Sequence, residues 1–74
     1  MTEYEVRVDN IMRCILNHYR APGPRHLGGW YILMPWPEAV RRAMQMATLR
    51  GYGQDAILSE GIRRAREECD AAGT

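Results

Sequence analysis

Residues 21–29 read Ala-Pro-Gly-Pro-Arg-His-Leu-Gly-Gly, two prolines and three glycines in nine positions. Proline lacks the amide hydrogen a helix needs, and glycine loses the most backbone freedom when it is ordered. No helix can cross this stretch, and it reads as a loop. The 74-residue chain is thereby divided into an amphipathic segment before the loop and an apolar strip with further helical patterning after it. A chain this short buries roughly 60% of its unfolded surface, so it forms a single domain, residues 1–74, of marginal stability.

Before the loop, Thr2-Glu3-Tyr4-Glu5 has the capping-box form, a hydroxyl at the cap and a carboxylate three residues on. Tyr4, Val8, Ile11, Ile15 and Tyr19 follow at helical spacing, widened by Met12 and Leu16. Residues 3–20 are expected to be a helix. After the loop, Trp30-Tyr-Ile-Leu-Met34 is rich in aromatic and branched residues and is closed by Pro35, which predicts a short strand over 30–34. Neither face of that strand carries a charge, so both require cover.

Pro37 suits the first turn of a second helix over 37–50, with Glu38 near the positive end of its dipole. Val40, Ala43, Met44 and Ala47 are its expected inner stripe, and Gly51 and Gly53 stop it. Asp55 can cap a third helix over 55–70, with Ile57, Leu58, Ile62, Ala65 and Cys69 inward. Outward, Glu60–Arg64, Arg63–Glu67 and Arg64–Glu68 can pair one turn apart, as can Glu3–Arg7 on the first helix. Gly61 falls mid-helix at a cost of about 1 kcal/mol against alanine, so another backbone is expected to approach closely there. The fold class is mainly α: three helices and one apolar strand, with a dimer through the strand as the expected means of covering it.

Composition narrows the chemistry. All ten basic residues are arginine, which removes lysine Schiff bases and Gly-Lys-Ser/Thr phosphate loops. A net charge of +1 gives no overall basic excess pointing to nucleic acid. The longest uncharged run, residues 27–37, is far below the roughly 18 apolar residues of a membrane span. No basic leader precedes the first helix, so export is not expected. Two cysteines make no disulfide framework, and both are expected as reduced thiols in a cytoplasm.

Cys14 and His18 lie one turn apart and, with His26 and Cys69, could complete a four-ligand zinc site, although the spacing matches no known zinc pattern. The same Cys14–His18 pair could be a nucleophile and its base, but it lacks an evident orienting group or oxyanion site. No glycine-rich nucleotide loop is present, the carboxylates sit on arginine-bearing faces, and Ser59 lies among charges. We expect no enzyme, no cofactor and no resident metal.

What remains is the strip from Trp30 to Trp36, concentrated in the aromatic and methionine residues that dominate protein interfaces. Three readings stay open for it: core of a phenylalanine-free protein, an intersubunit strand pair, or an exposed partner site. The candidate partner contacts are Trp30, Tyr31 and Trp36, with Arg25 and His26 from the adjacent loop. The expected function is a protein-binding regulator or inhibitor, of the kind phages and mobile elements encode, that occupies a larger protein or complex.

Over residues 30–66 the order of elements resembles the ribbon–helix–helix family of DNA-binding dimers. Trp30–Met34 stands at the ribbon, Pro37 opens the next helix, Gly51-Tyr-Gly-Gln-Asp55 stands at the turn, and Ile57-Leu-Ser-Glu-Gly-Ile-Arg63 resembles the family's apolar-apolar-x-x-small-apolar-charged run. The resemblance implies two ribbons paired across a two-fold axis and a repressor as the alternative function. Family ribbons carry polar side chains that read base edges, whereas here one face is Trp30, Ile32 and Met34 and the other Tyr31 and Leu33. DNA contacts would then fall to Arg41, Arg42 and Arg50 at the backbone. A five-residue string, Ala43-Met-Gln-Met-Ala47, resembles part of a helix in a phage-encoded type I-F anti-CRISPR.

Overall fold

The computed structural model of the chain describes residues 1–51 and 55–72. Its elements run α1 (Glu3–Tyr19), β1 (Arg20–Pro22), a single 3-10 turn (Arg25–Leu27), β2 (Trp30–Ile32), α2 (Trp36–Leu49) and α3 (Asp55–Ala72). The mainly helical architecture expected from the periodicity is what forms, and the three helices begin and end within two residues of their expected bounds.

Helix α1 is the centre of the molecule. Thr2 caps it, its hydroxyl accepting from the Glu5 amide at 3.2 Å. Val8, Ile11 and Ile15 are buried along one stripe, and both α2 and α3 pack on α1 while touching each other little. The result is flat, 38 × 24 × 14 Å between Cα extremes.

The proline-glycine segment is more ordered than a loop. At Arg20 the backbone turns extended, with φ −145° and ψ 157°, and β1 pairs antiparallel with β2 in the register Arg20↔Ile32, Ala21↔Tyr31, Pro22↔Trp30. Pro22 is tolerated because a two-stranded ribbon is all edge. The connection is closed by Gly23 N–H to Gly29 C=O at 3.0 Å and Gly29 N–H to Pro24 C=O at 3.0 Å. Gly28 and Gly29 stand at φ +97° and +81°, where only glycine is unstrained. The sequence shows where the helix must stop; it does not show that three residues on either side of the turn find each other. The strand expected over 30–34 is shortened to 30–32: the Leu33 amide adds one more rung to the Tyr19 carbonyl at 2.7 Å, but Tyr19 already belongs to α1, and Pro35 caps α2. Its strand partner lies in the same chain.

Helix α2 is rotated from its expected face. Its buried residues are Ala39, Ala43 and Ala47, an i, i+4 stripe of methyl groups of which Ala43 and Ala47 join Val8, Ile11 and Ile15 of α1 in the core. Val40 is only half-buried and Met44 is exposed, although both are expected inward. Small side chains allow the α2 backbone to come close to α1, and the larger ones are displaced to the flank. Gly51, at φ +80°, ends the helix as expected; the Gly53 stop and the residues between Gly51 and Asp55 in the expected turn lie outside the described residues.

On α3, Ile57, Leu58 and Ala65 are buried, and so is Gly61. A Cβ built on Gly61 would lie 2.4 Å from Cγ2 of Ile11 and 3.4 Å from the Val8 carbonyl oxygen. The close approach expected of this glycine is the α1–α3 crossing. Of the outer-face pairs, Glu60–Arg64 forms at 3.0 Å and Arg63 bridges Glu60 and Glu67, so Arg64 turns to Glu60 rather than Glu68.

Candidate partner-binding surface

The β1–β2 hairpin projects from the end of α1. It carries Leu27, Trp30, Tyr31, Ile32 and Leu33, which are between 39% and 63% exposed. Two contacts fix its shape. On one face the Arg20 guanidinium lies 3.8 Å from the centroid of the Trp30 ring, the alternation of β1 and β2 placing Arg20, Pro22, Trp30 and Ile32 together. Arg20 is itself buried and its Nε has no hydrogen-bond partner among the described residues; the Trp30 ring face lies against its guanidinium. On the other face the Tyr31 ring lies against Gly23, where an added Cβ would stand 2.9 Å from Cε2. Arg25 and His26 are exposed on the 3-10 turn at the hairpin tip.

Of the five expected contact residues, four thus fall on the hairpin, and Trp36 does not. Its ring packs edge-on against Tyr19, centroids 5.1 Å apart at 84°, with the Arg66 guanidinium 5.4 Å from its centroid. It stands at the head of a second feature, an open groove of about 900 Å³ along the flank of α2. Val40, Met44, Thr48 and Leu49 continue that groove, and Ile62 of α3 forms its far side. Periodicity assigned Val40, Met44 and Ile62 to the core; Val40 and Ile62 are half-buried and pack against it from the groove side, and Met44 alone of the three is exposed. Leu27, Ile32 and Leu33 join the hairpin surface through tertiary placement, since the strip alone leaves exposure undecided.

The arginines of the DNA-binding alternative are dispersed. Arg41 and Arg42 both engage Glu38, and Arg41 borders the α2 groove. Arg50 instead borders a polar hollow against α1 with Asn10, Arg13, Asn17 and His18. The hydrogen bond from Arg42, with the charge of Arg41 beside it, holds the Glu38 carboxyl below its ordinary pKa.

The metal and nucleophile expectations do not assemble. Among the described residues no group of three or more His, Cys, Asp or Glu side chains is placed to hold a metal ion. Cys14 and His18 do meet, Sγ to Nδ1 at 3.7 Å, but His26 sits on the hairpin turn and Cys69 on α3. His18 Nδ1 lies 2.8 Å from the Cys14 carbonyl oxygen. A carbonyl only accepts, so Nδ1 carries the proton and is not a base toward the thiol. Burial raises the Cys14 pKa, which opposes thiolate formation, and it raises that of Cys69 likewise. Both cysteines are free. No helix of the described residues is long and apolar enough to cross a membrane.

No protein-family model, curated protein or solved structure matches the chain.

Proposed function

We propose that this protein is a non-catalytic binding module that acts in the cytoplasm by occupying a larger protein or complex, as small regulators and inhibitors of phages and mobile elements do. The observation that supports this is the exposed hairpin. Five large apolar side chains stand in water on a ribbon whose shape is set by Arg20 against Trp30 and Tyr31 against Gly23. A pre-shaped apolar ribbon loses little entropy when it docks, which is the condition for affinity from a small surface. Arg25 and His26 at the tip supply polar contacts at its rim.

The test is affinity purification of the tagged chain from its host lysate, with and without nuclease, beside an Ile32→Ser chain. A stoichiometric protein that survives nuclease and moderate salt, and is lost with Ile32→Ser, supports the reading. A nucleic-acid-rich eluate that nuclease and salt disperse overturns it. That result would favour a ribbon-type repressor contacting phosphates through Arg41, Arg42 and Arg50.

A further inference from the structure

The two-stranded sheet has two outer edges, and the bonding between its strands makes them unlike. Leu33 N–H donates to the Tyr19 C=O at 2.7 Å and Gly23 N–H to the Gly29 C=O at 3.0 Å, on either side of the Ala21–Tyr31 pair. In an antiparallel ladder, hydrogen-bonded and non-bonded pairs alternate. The bonded pairs are therefore Tyr19–Leu33, Ala21–Tyr31 and Gly23–Gly29, and the residues between them turn their backbone groups away from the other strand. On β1 these are Arg20 and Pro22. The Arg20 N–H is taken by the Leu16 C=O of α1, and Pro22 has no N–H. On β2 they are Trp30 and Ile32, whose outward N–H and C=O groups meet no backbone partner among the described residues.

The β1 edge is thus closed and the β2 edge open. Proteins commonly blunt an open edge with proline, a charge, a bulge or a covering element. β2 carries neither proline nor charge, and its register with β1 runs without a bulge. Its three residues are between 39% and 60% exposed, and it packs mainly on β1.

What such an edge accepts is extended main chain. Trp30 and Ile32 stand about 6.6 Å apart along the strand, the repeat at which alternate residues of an added strand present their own N–H and C=O groups. Side chains of that strand fall beside Trp30 and Ile32 on one face and beside Tyr31 and Leu33 on the other, so branched apolar residues suit both. Charge sets the rest. Residues 10–37 contain Arg13, Arg20 and Arg25 and no Asp or Glu. Arg13 is paired with Asp9, and Arg20 lies against Trp30. Arg25, at the hairpin tip, is exposed and joins no ion pair with a described residue. A carboxylate on the added strand, placed beyond Trp30 toward the tip, has this guanidinium to meet.

We propose that the outer edge of β2 takes an extended apolar segment of a partner protein, with an acidic residue at its tip-side end, as the third strand of the sheet. This rests on the hairpin being the binding surface and adds the mode of binding. Main-chain hydrogen bonds give the affinity, and side chains at alternate positions give the specificity.

The probe is a displayed library of random peptides of about nine residues, long enough to span β2 and both flanks. Selection on the native chain should enrich runs of branched apolar residues with Asp or Glu on one flank. N-methylation of an enriched synthetic peptide should weaken binding about tenfold at every second amide and little at those between. Ile32→Pro and Ile32→Ala both remove the side chain, but only proline removes the outward N–H, at a position as tolerant of it as that of Pro22. Ile32→Pro should bind the peptide at least about tenfold more weakly than Ile32→Ala. Arg25→Ala should erase the preference for the acidic peptide over its Gln or Asn counterpart. No enrichment, anchors at helical spacing, a methylation scan without alternation, or equal binding by the two Ile32 variants each overturns the proposal. So does a native homodimer that Ile32→Pro abolishes, since a second copy then holds the edge. Should Ile32→Pro lose its circular dichroism, the methylation scan decides alone. The scan needs no lysate, so a captured protein beside a scan without alternation overturns the strand mode and leaves the binding-module reading standing.

Discussion

Cγ2 of Ile11 on α1 occupies the space that a side chain on Gly61 of α3 would need, with 2.4 Å to the position of the absent Cβ. Ile11 is 3% exposed, so it has no solvent into which to move. The glycine sets how closely the two helices cross, and the isoleucine fills what the glycine leaves.

Gly61→Ala is therefore expected to destabilise the fold. The helix gains about 1 kcal/mol of propensity, but overpacking against Ile11 costs about 1–3 kcal/mol. Ile11→Ala alone should cost about 2–5 kcal/mol through the cavity it opens. Together the two changes should be less than additive, because the new methyl enters the vacated space. Urea unfolding of the four proteins checks this. Strict additivity would show that the crossing is looser than the contact implies.

The alanine stripe on α2 gives a second contrast. Ala43 is 1% exposed on the α1 side, so Ala43→Leu should force the helices apart and lower the melting temperature by several degrees, on the order of 1–3 kcal/mol. The exposed neighbour Met44→Ala should cost well under half of that. Thermal unfolding separates the two. Equal losses would mean that α2 sits on α1 by the Val40–Met44 face that periodicity favours.

Glu60 carries a pH signature. Hydrogen bonds from Arg63 and then Arg64 lower its pKa from 4.5 to about 2. A carboxyl depressed in the folded state stabilises the fold above its unfolded pKa, and that contribution fades as pH falls through the folded value. Stability should thus drop between about pH 4.5 and 2, and Glu60→Gln should flatten that part of the profile. Arg63 is exposed and Glu60 and Arg64 are only half-buried, so the slope is expected to be shallow and to weaken with added salt. A Glu60→Gln profile parallel to the native one would remove the pair from the acid response.

The two thiols should be sluggish. Burial raises the pKa of both Cys14 and Cys69, and the thiolate is the reactive form. Iodoacetamide at about pH 8 should modify each more slowly than a free cysteine peptide, and denaturant should remove the difference. Rapid modification of Cys14 in the folded chain would instead mark it as an activated thiol.

Local rules made much of this fold legible in the residues. The Thr2 cap, the Val8–Ile11–Ile15 stripe, Pro37 in the first turn of α2 and the charge pairs of α3 each depend on neighbours within one helical turn. Gly61 was legible too, since a glycine in mid-helix has a cost that only a close neighbour offsets. The hairpin was not, because the pairing of Arg20–Pro22 with Trp30–Ile32 lies beyond any periodicity that three residues can show. Nor was the face of α2. Alanine and methionine both count as apolar along a helix, and only the distance to α1 decides which of them fits. The sequence by itself therefore determined where helices start, stop and turn polar. The tertiary structure alone decided which apolar residues became core and which were left at the hairpin and the groove, because burial is a property of the space between elements.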